Sequence, residues 1–171
     1  MTTPADSTLT LRLDDRVVVL TGASTGLGER FARVLHAAGA SVVLAARRAD
    51  PITALAAELG NALAVRCDIR ESDDRAALVE AALDRYGRID VLVNNAGIAH
   101  SGPAEGEDLA TVRDLLDTNT LGLFGLTQLV GRHMLQRGAG SIVNIASPSA
   151  TTSLDRYGLA GYAASKGAWS R

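Results

Sequence analysis

Apolar and polar positions along the chain alternate between two patterns, one typical of buried strands and one typical of amphipathic helices. Short unbroken apolar runs occur five times, and such runs are typical of strands buried on both faces of a parallel sheet. They predict strands at residues 17–20, 41–45, 62–66, 91–94 and 141–145.

Between these runs the apolar residues recur every three to four positions, as they do along one face of a helix. In the first such segment Phe31, Val34 and Leu35 lie on one side, and Gly39 follows where it suits the end of a helix. The spacing predicts helices over residues 27–38, 51–59, 73–86 and 109–137, and a last helix that begins shortly before Tyr162.

This alternation of strand and helix favours one architecture. Parallel strands joined by right-handed crossovers, with helices on both faces of the sheet, accommodate it. The pattern therefore predicts an α/β fold with a doubly wound, Rossmann-type parallel sheet of strand order 3-2-1-4-5. We find no internal repeat or linker and expect a single domain over residues 1–171.

The helix predicted at residues 109–137 carries more apolar positions than one core-facing stripe requires. They are Val112, Leu115, Leu116, Leu121, Leu123, Phe124, Leu126, Leu129 and Val130. A second buried face is the simplest explanation, and we expect another copy of the chain to cover it in a homo-oligomer, either a dimer or a tetramer. A loosely patterned helix with one exposed apolar side is the alternative.

Composition and net charge bear on which kinds of partner the protein could bind. Hydrophobic residues make up 47% of the chain, and 17 basic against 19 acidic side chains give a formal charge of −2 and a pI of about 5.9. This balance gives no support to binding of nucleic acid or of an anionic membrane. The first fifteen residues lack the features of a signal peptide, no apolar segment is long enough to span a bilayer, and we expect a cytoplasmic protein.

The metal-ligating residue types are sparse. Cys67 is the one cysteine, so an internal disulfide cannot form and a zinc site with two thiolates cannot be assembled. His36 and His133 lie on predicted helices without a partner at ligand spacing, and His100 lies in a loop. We expect no metal site, and we expect Cys67 to be a small buried apolar residue.

The segment after the first predicted strand reads TGASTGLG over residues 21–28, called the glycine turn below, and it opens a helix. Small residues let the backbone approach a pyrophosphate, while free amides and the helix dipole favour negative charge there. The glycine turn therefore indicates nucleotide binding. The residues expected at the cofactor are Gly22, Ser24, Thr25, Gly26, Leu27 and Gly28.

The end of the second predicted strand bears on the choice of nucleotide. A site that prefers NAD places a carboxylate there for the ribose 2′-hydroxyl, but this chain has Ala46 followed by Arg47 and Arg48. An arginine at this place accommodates a 2′-phosphate. We favour NADP over NAD, with Arg47 as the expected contact; the alternative is that both arginines are solvated charges at a strand end.

Among the seventeen basic side chains the one lysine is Lys166, four residues after Tyr162. Residues at this spacing share one helix face. The interpretation is that the ammonium group lowers the pKa of the Tyr162 phenol, which is ordinarily near 10, so that the tyrosine can exchange protons near neutral pH. An ordinary pair on a helix surface is the alternative.

These motifs occur in the order found in the short-chain dehydrogenase/reductase family, and nearly the whole chain resembles its compact branch. The matching segments are the glycine turn, the Asn94-Asn95-Ala96-Gly97 segment after the fourth strand, Asn119 in the long helix, and Tyr162-x-x-x-Lys166. The resemblance implies an oxidoreductase that transfers a hydride between NADP(H) and an alcohol or carbonyl substrate.

The resemblance also implies roles for single residues. Tyr162 would be the general acid in reduction and the base in oxidation and would also contact the cofactor, and Lys166 would bind the nicotinamide ribose and hold the phenolate. Asn119 would bind a water that connects Lys166 to solvent. Asp68 and Ile69 would flank the adenine, while Asn95, Ala96 and Gly97 would line its ribose and Asn94 would brace the sheet.

The serine that donates to the substrate oxygen has two candidates. Alignment on the fifth strand selects Ser147, whereas counting back from Tyr162 selects Ser149, because residues 148–161 carry a short insertion. We prefer Ser147, since a strand end fixes position better than a loop does.

Relatives in this family continue well beyond the position of Lys166, but the chain ends at Arg171. The dinucleotide-binding domain is therefore expected to be incomplete at its carboxyl end, with the fifth strand as a bare edge. A nucleotide-binding or interaction module without catalysis is the alternative function. The substrate, the direction of reaction and the activity of this chain stay open.

Overall fold

The computed structural model describes residues 12–151 and 158–169. Its centre is a five-stranded parallel sheet of order β3-β2-β1-β4-β5, as the sequence predicts. The strands are β1 Val17–Thr21, β2 Ser41–Ala46, β3 Ala62–Arg66, β4 Val91–Asn94 and β5 Ser141–Asn144.

Six α-helices lie within the described ranges, and most begin within two residues of their predicted starts. They are α1 Gly26–Ala37, α2 Ala49–Leu59, α3 Ser72–Tyr86, α4 Leu109–Leu116, α5 Leu123–Arg137 and α6 Ala160–Gly167. Short 3₁₀ turns occur at Ala104–Gly106 and Pro148–Ala150. Part of the insertion expected at residues 148–161, namely 152–157, lies outside the described residues.

The prediction of one regular helix over residues 109–137 is wrong in its middle. A π-helical segment, Asp117–Gly122, separates α4 from α5. The segment passes close to the loop after β3, because a Cβ on Gly122 would lie 2.5 Å from the Ile69 carbonyl oxygen. Wider turns of this kind often occur at functional sites, and this one contains Asn119.

The core forms on both faces of the sheet, since all five residues of β1 are buried. Successive strand residues point to opposite faces. Val17 and Val19 pack with α3 and α5, whereas Val18 and Leu20 pack with α1 and α2. This two-sided burial explains why the strands read as unbroken apolar runs rather than as alternating ones.

The order of the strands creates a crevice at the carboxyl edge of the sheet. The chain leaves β1 toward β2 and leaves β4 toward β5, so the connections after these two adjacent strands run in opposite directions. Open α/β sheets bind ligands where the strand order reverses in this way. The glycine turn and the Asn95–Gly97 segment therefore face each other across the crevice.

The opposite, amino-terminal edge is closed by a buried carboxylate. Asp90 is 6% exposed and accepts a hydrogen bond of 2.9 Å from the Val17 amide. It also forms ion pairs with Arg16 at 3.6 Å, with Arg137 at 3.5 Å and with Arg88. This group of residues, called the Asp90 cluster below, ties the starts of β1 and β4 to the end of α5.

Two surfaces correspond to further expectations. As predicted, β5 is an outer strand that pairs with β4 alone among the described residues, and all four of its residues are exposed. On the outside of the π-helical segment and α5, Leu121 and Phe124 are 60% and 52% exposed. Within the part of the chain that is described, none of the helices has the length and apolar character needed to cross a membrane.

Candidate active site

The crevice holds a cavity of about 640 Å³, a size common for cofactor and ligand pockets. It is lined by all but three of the residues that the sequence assigns to the cofactor. The lining residues are Thr21, Gly22, Ser24, Thr25, Leu27, Gly28, Ala45, Ala46, Arg47, Arg48, Cys67, Asp68, Ile69, Asn95, Ala96, Gly97, Ile98 and Thr118. The three that do not line it are Gly26, Tyr162 and Lys166.

The glycine turn needs its glycines for two different reasons. Gly22 and Gly28 sit where a side chain would collide with the backbone: a Cβ on Gly22 would lie 2.8 Å from Ala96 Cα, and one on Gly28 would lie 2.1 Å from the Gly22 carbonyl oxygen. At Gly26 a Cβ would meet nothing within 4 Å, but φ is +61°. Gly26 is therefore required by backbone conformation rather than by close approach.

Thr21 and Asn95 fasten the two walls of the crevice together. The Thr21 hydroxyl accepts hydrogen bonds of 3.0 Å from the amides of Asn95 and Ala96, and the Asn95 side-chain amide donates to the Thr21 carbonyl at 2.9 Å. Asn95 thus braces the cavity as well as lining it. Thr21 was missed as a site residue, although its place as the first residue of the glycine turn was a signal for it.

Two arginines lie at the end of β2, on the rim of the cavity. Arg48 donates hydrogen bonds to the Ser24 hydroxyl at 3.1 Å and to the Thr25 hydroxyl at 3.3 Å. Arg47, the expected contact, lines the same cavity. Neither forms an ion pair with a carboxylate in residues 12–151 and 158–169. The charge of Arg47 acts on the carboxylate of Asp68 from beyond ion-pair distance, so the positive charge of the two guanidinium groups is compensated only in part.

Asp68 lies across the cavity, where its carboxylate pairs with Arg70 at 2.7 Å. Hydrogen bonds from the Arg70 side chain hold the pKa of Asp68 below its usual range. Its neighbour Cys67 is buried, as expected, and burial raises the pKa of that thiol to about 11. The thiol is therefore protonated and unreactive near neutral pH.

Lys166 and Tyr162 lie one turn apart on α6. Lys166 is 4% exposed, and its Nζ donates a hydrogen bond of 2.9 Å to the Ile145 carbonyl just beyond β5. Burial lowers the pKa of this amine. The Nζ is 3.4 Å from the place where a Cβ on Gly97 would be, so the amine lies against the wall of the cavity. No hydrogen bond joins it to the half-buried Tyr162 among the described residues.

Asn119 connects the cavity to α6 through protein atoms. Its side-chain amide donates to the Ile98 carbonyl at 2.8 Å and to the Ser165 hydroxyl at 2.9 Å, and its Oδ1 accepts from the Ile98 amide at 2.8 Å. Trp169 donates its indole N–H to the Asn119 carbonyl at 2.7 Å. Both N–H groups of the amide are thus used within the protein, and the expected water contact stays a prediction.

Ser147, Ser149 and Asn94 lie where the sequence suggests. Ser147 follows β5, and its hydroxyl accepts a hydrogen bond of 3.2 Å from the amide of Ser149, which is buried. Asn94 braces the sheet as expected, since its side chain donates to Asn144 at 2.8 Å and to Thr127 at 2.9 Å. Lining residues that were not predicted include Ile98, which directly follows Gly97, and Thr118, which lies in the π-helical segment. In the described ranges no group of three or more His, Cys, Asp or Glu side chains is arranged to hold a metal ion.

Comparison with known proteins agrees with the fold and the order of the motifs. Residues 16–171 match the family model described as short chain dehydrogenase, and the chain belongs to this family. A solved short-chain type dehydrogenase/reductase from Mycobacterium marinum is similar in structure, with a TM-score of 0.89 at 32% sequence identity. The match covers 93% of this chain and 66% of that one.

Two curated relatives show the range of named activities. A D-threitol dehydrogenase of Mycolicibacterium smegmatis is 38% identical over 159 residues, which are 91% of this chain and 60% of that protein. A 7alpha-hydroxysteroid dehydrogenase of Escherichia coli is 36% identical over 162 residues, which are 92% of this chain and 62% of that protein. The chain therefore spans about three-fifths of the length of these two relatives.

Proposed function

We propose that the protein is an oxidoreductase that transfers a hydride between NADP(H) and an alcohol or carbonyl substrate. The observation that carries this proposal is the position of the buried Lys166 amine, which lies against Gly97 in the wall of a cavity built from the glycine turn. Binding of a dinucleotide is supported by the lining of this cavity, which combines backbone, small side chains and the guanidinium groups of Arg47 and Arg48. When bound, the nicotinamide supplies or accepts the hydride.

Residues of α6 and of the segment after β5 would transfer the proton to and from the substrate oxygen. In reduction, the Tyr162 hydroxyl gives its proton to the substrate oxygen as negative charge develops there, and in oxidation the phenolate takes it back. Lys166 lies one turn further along the same helix, with its buried amine against the cavity wall. The Ser147 hydroxyl, which accepts from the Ser149 amide, still has a proton to donate to the same substrate oxygen.

Substitution of Tyr162 tests the enzymatic proposal. Tyr162→Phe should lower kcat by about 10² to 10⁴-fold, the range typical of general acid–base catalysis, while the Kd for NADPH stays within about twofold. Turnover is measured as NADPH oxidation with a panel of ketones, and binding by NADPH fluorescence. Tyr86→Phe is the matched control, since the buried Tyr86 hydroxyl has no hydrogen-bond partner within residues 12–151 and 158–169. Unchanged turnover in Tyr162→Phe would defeat the proposal, and NADPH binding without turnover in the wild type would favour a nucleotide-binding module.

We infer a preference for NADP over NAD from charge at the end of β2. Arg47 and Arg48 both line the cavity, and neither forms an ion pair with a carboxylate among the described residues, so both can pair with a 2′-phosphate. Direct comparison of the Kd values for NADPH and NADH tests this inference. Equal affinity, or tighter binding of NADH, would contradict it.

Self-association is a further part of the proposal. Leu121 and Phe124 are more than half exposed on the outer side of the π-helical segment and α5, and Leu109 is 66% exposed at the start of α4. A second copy of the chain would bury such a face. Sedimentation velocity should detect a dimer or tetramer, and Phe124→Glu should reduce it to a monomer.

A further inference from the structure

The helix that carries Tyr162 and Lys166 lacks a cap of its own. Its N-cap residue is Leu159, whose apolar side chain cannot accept a hydrogen bond from the first turn. The first backbone N–H groups of a helix need acceptors from elsewhere. The structure supplies one from a distant part of the chain.

That acceptor is Glu107, which immediately precedes the N-cap residue of α4. Its Oε2 accepts a hydrogen bond of 3.0 Å from the Gly161 amide. Gly161 is the second residue of α6 and directly precedes Tyr162. The carboxylate also suits the positive end of the helix dipole. Its other oxygen, Oε1, is buried and has no hydrogen-bond partner in the part of the chain that the structure describes.

The contact is close enough that any side chain at position 161 would displace the Glu107 carboxylate. A Cβ on Gly161 would lie 2.8 Å from Oε1 and 2.9 Å from Oε2 of Glu107. A second contact joins the same two segments nearby, where the Gly102 amide donates to the Gly158 carbonyl at 2.8 Å. The loop that leaves the cavity wall after Gly97 is therefore fastened to the start of α6 at two places.

We propose that Glu107 is a positioning residue for the reaction, which caps α6 and thereby fixes Tyr162 relative to the cavity wall. This inference rests on the proposed function. Glu107 is not among the residues that line the cavity, so its contribution should affect the chemical step rather than cofactor binding. Misplacement of a reacting group by about 1 Å can cost roughly 10²-fold in rate.

Four variants test the proposal: Glu107→Ala, Glu107→Gln, Gly161→Ala and the Glu107→Ala/Gly161→Ala double variant. Glu107→Ala should lower kcat by about 10- to 100-fold with the KM for NADPH within about twofold. Glu107→Gln, which keeps an acceptor for the Gly161 amide, should recover most of that loss. A large rise in the KM for NADPH or an unchanged kcat in Glu107→Ala would overturn the proposal.

The double variant separates the contact from a general effect on the helix. Alanine normally stabilises a helix relative to glycine, but Gly161→Ala should lower both Tm and kcat because its Cβ meets the carboxylate. In the Glu107→Ala background the same substitution should cost nothing further. Gly131→Ala on α5 is the control for a glycine-to-alanine change within a helix, since a Cβ there meets nothing within 4 Å among the described residues. Equal loss from Gly161→Ala in both backgrounds would overturn the proposal.

The same experiment distinguishes failure of the proposed function from failure of this inference. If the wild type turns over none of the ketones with NADPH, the proposed function fails and the positioning role fails with it. The Tm values of the four variants would then show whether the Glu107 contact holds α6. If the wild type is active and Tm alone responds, the proposed function stands and Glu107 is merely structural.

Discussion

The two edges of the sheet use arginine in opposite ways. At the amino-terminal edge, Arg16, Arg88 and Arg137 surround the buried carboxylate of Asp90, so their charge is compensated within the protein. At the carboxyl edge, the hydrogen bonds that Arg48 donates among the described residues go to the neutral hydroxyls of Ser24 and Thr25. The arginine charge at the amino-terminal edge is therefore compensated by Asp90, whereas positive charge at the carboxyl edge is available to bind an anion.

This difference teaches how to separate structural from functional charge in an arginine-rich chain. The number of arginines says nothing about either role, because the same side chain closes one edge and leaves the other ready for a ligand. What differs is the supply of carboxylates: Asp90 follows Ile89 at the start of β4, while the end of β2 has none in its place. Changes at the carboxyl edge should therefore affect binding, and changes at the amino-terminal edge should affect folding.

The largest expected effect is at Gly28 in the glycine turn. Gly28→Ala places a Cβ 2.1 Å from the Gly22 carbonyl oxygen, so the backbone must move. Overpacking of about 2 to 3 kcal/mol would weaken NADPH binding by about 30- to 150-fold. Titration of NADPH fluorescence measures this loss. Gly131→Ala on α5, whose Cβ would meet nothing within 4 Å, should leave the Kd unchanged; a loss of affinity there would show that the assay reports general damage.

Removal of the carboxylate at Asp90 should lower the free energy of unfolding rather than the affinity for NADPH. Asp90→Ala leaves the Val17 amide without its acceptor, which costs about 1 to 3 kcal/mol. The partly exposed arginines can turn to solvent, so we expect a total loss of about 2 to 4 kcal/mol, below the upper range for a wholly buried pair. Denaturant unfolding measures the free energy, with exposed Asp84→Ala as the control. A variant of unchanged stability would show that the Asp90 cluster does not hold the edge together.

The sequence predicts the features that depend on local signals. Strand order and the cavity wall were predictable, because the apolar runs such as that of β1 and the fixed spacing of the glycine turn are local. Contacts between segments that are distant in sequence were not predictable. The π-helical segment depends on how Gly122 packs on Ile69, and the Glu107 contact with Gly161 spans 54 positions with no local pattern.

Within the cavity rim, Arg48 rather than Arg47 makes the hydrogen bonds to the glycine turn. Arg48→Ala should weaken NADPH binding by about tenfold, equivalent to about 1.4 kcal/mol, and should leave NADH binding within about twofold. Arg30→Ala on the exposed side of α1 is the control for a simple loss of positive charge. If NADPH and NADH lose affinity equally, Arg48 supports the shape of the turn rather than recognising a phosphate.

The smallest expected effect is the pH dependence of stability at the closed edge. Burial by itself would raise the pKa of Asp90, but hydrogen bonds from Arg88 and the Val17 amide, with the charges of Arg88 and Arg137, outweigh it and lower the pKa. A lowered pKa in the folded state stabilises the protein above the unfolded value of about 3.9, and this stabilisation is lost as pH falls through the folded pKa.

Tm measured between pH 6 and pH 2.5 should therefore fall most steeply below about pH 4. Asp68, paired with Arg70 beside the cavity, has a lowered pKa as well and adds to the same slope. Because Asn does not titrate, Asp90→Asn should have a shallower acid slope than the wild type, and Asp68→Asn should have one too. If the Tm of Asp90→Asn falls with pH as steeply as that of the wild type, the arginines do not stabilise the charged form of Asp90. The contrast between the two edges would then depend on packing alone.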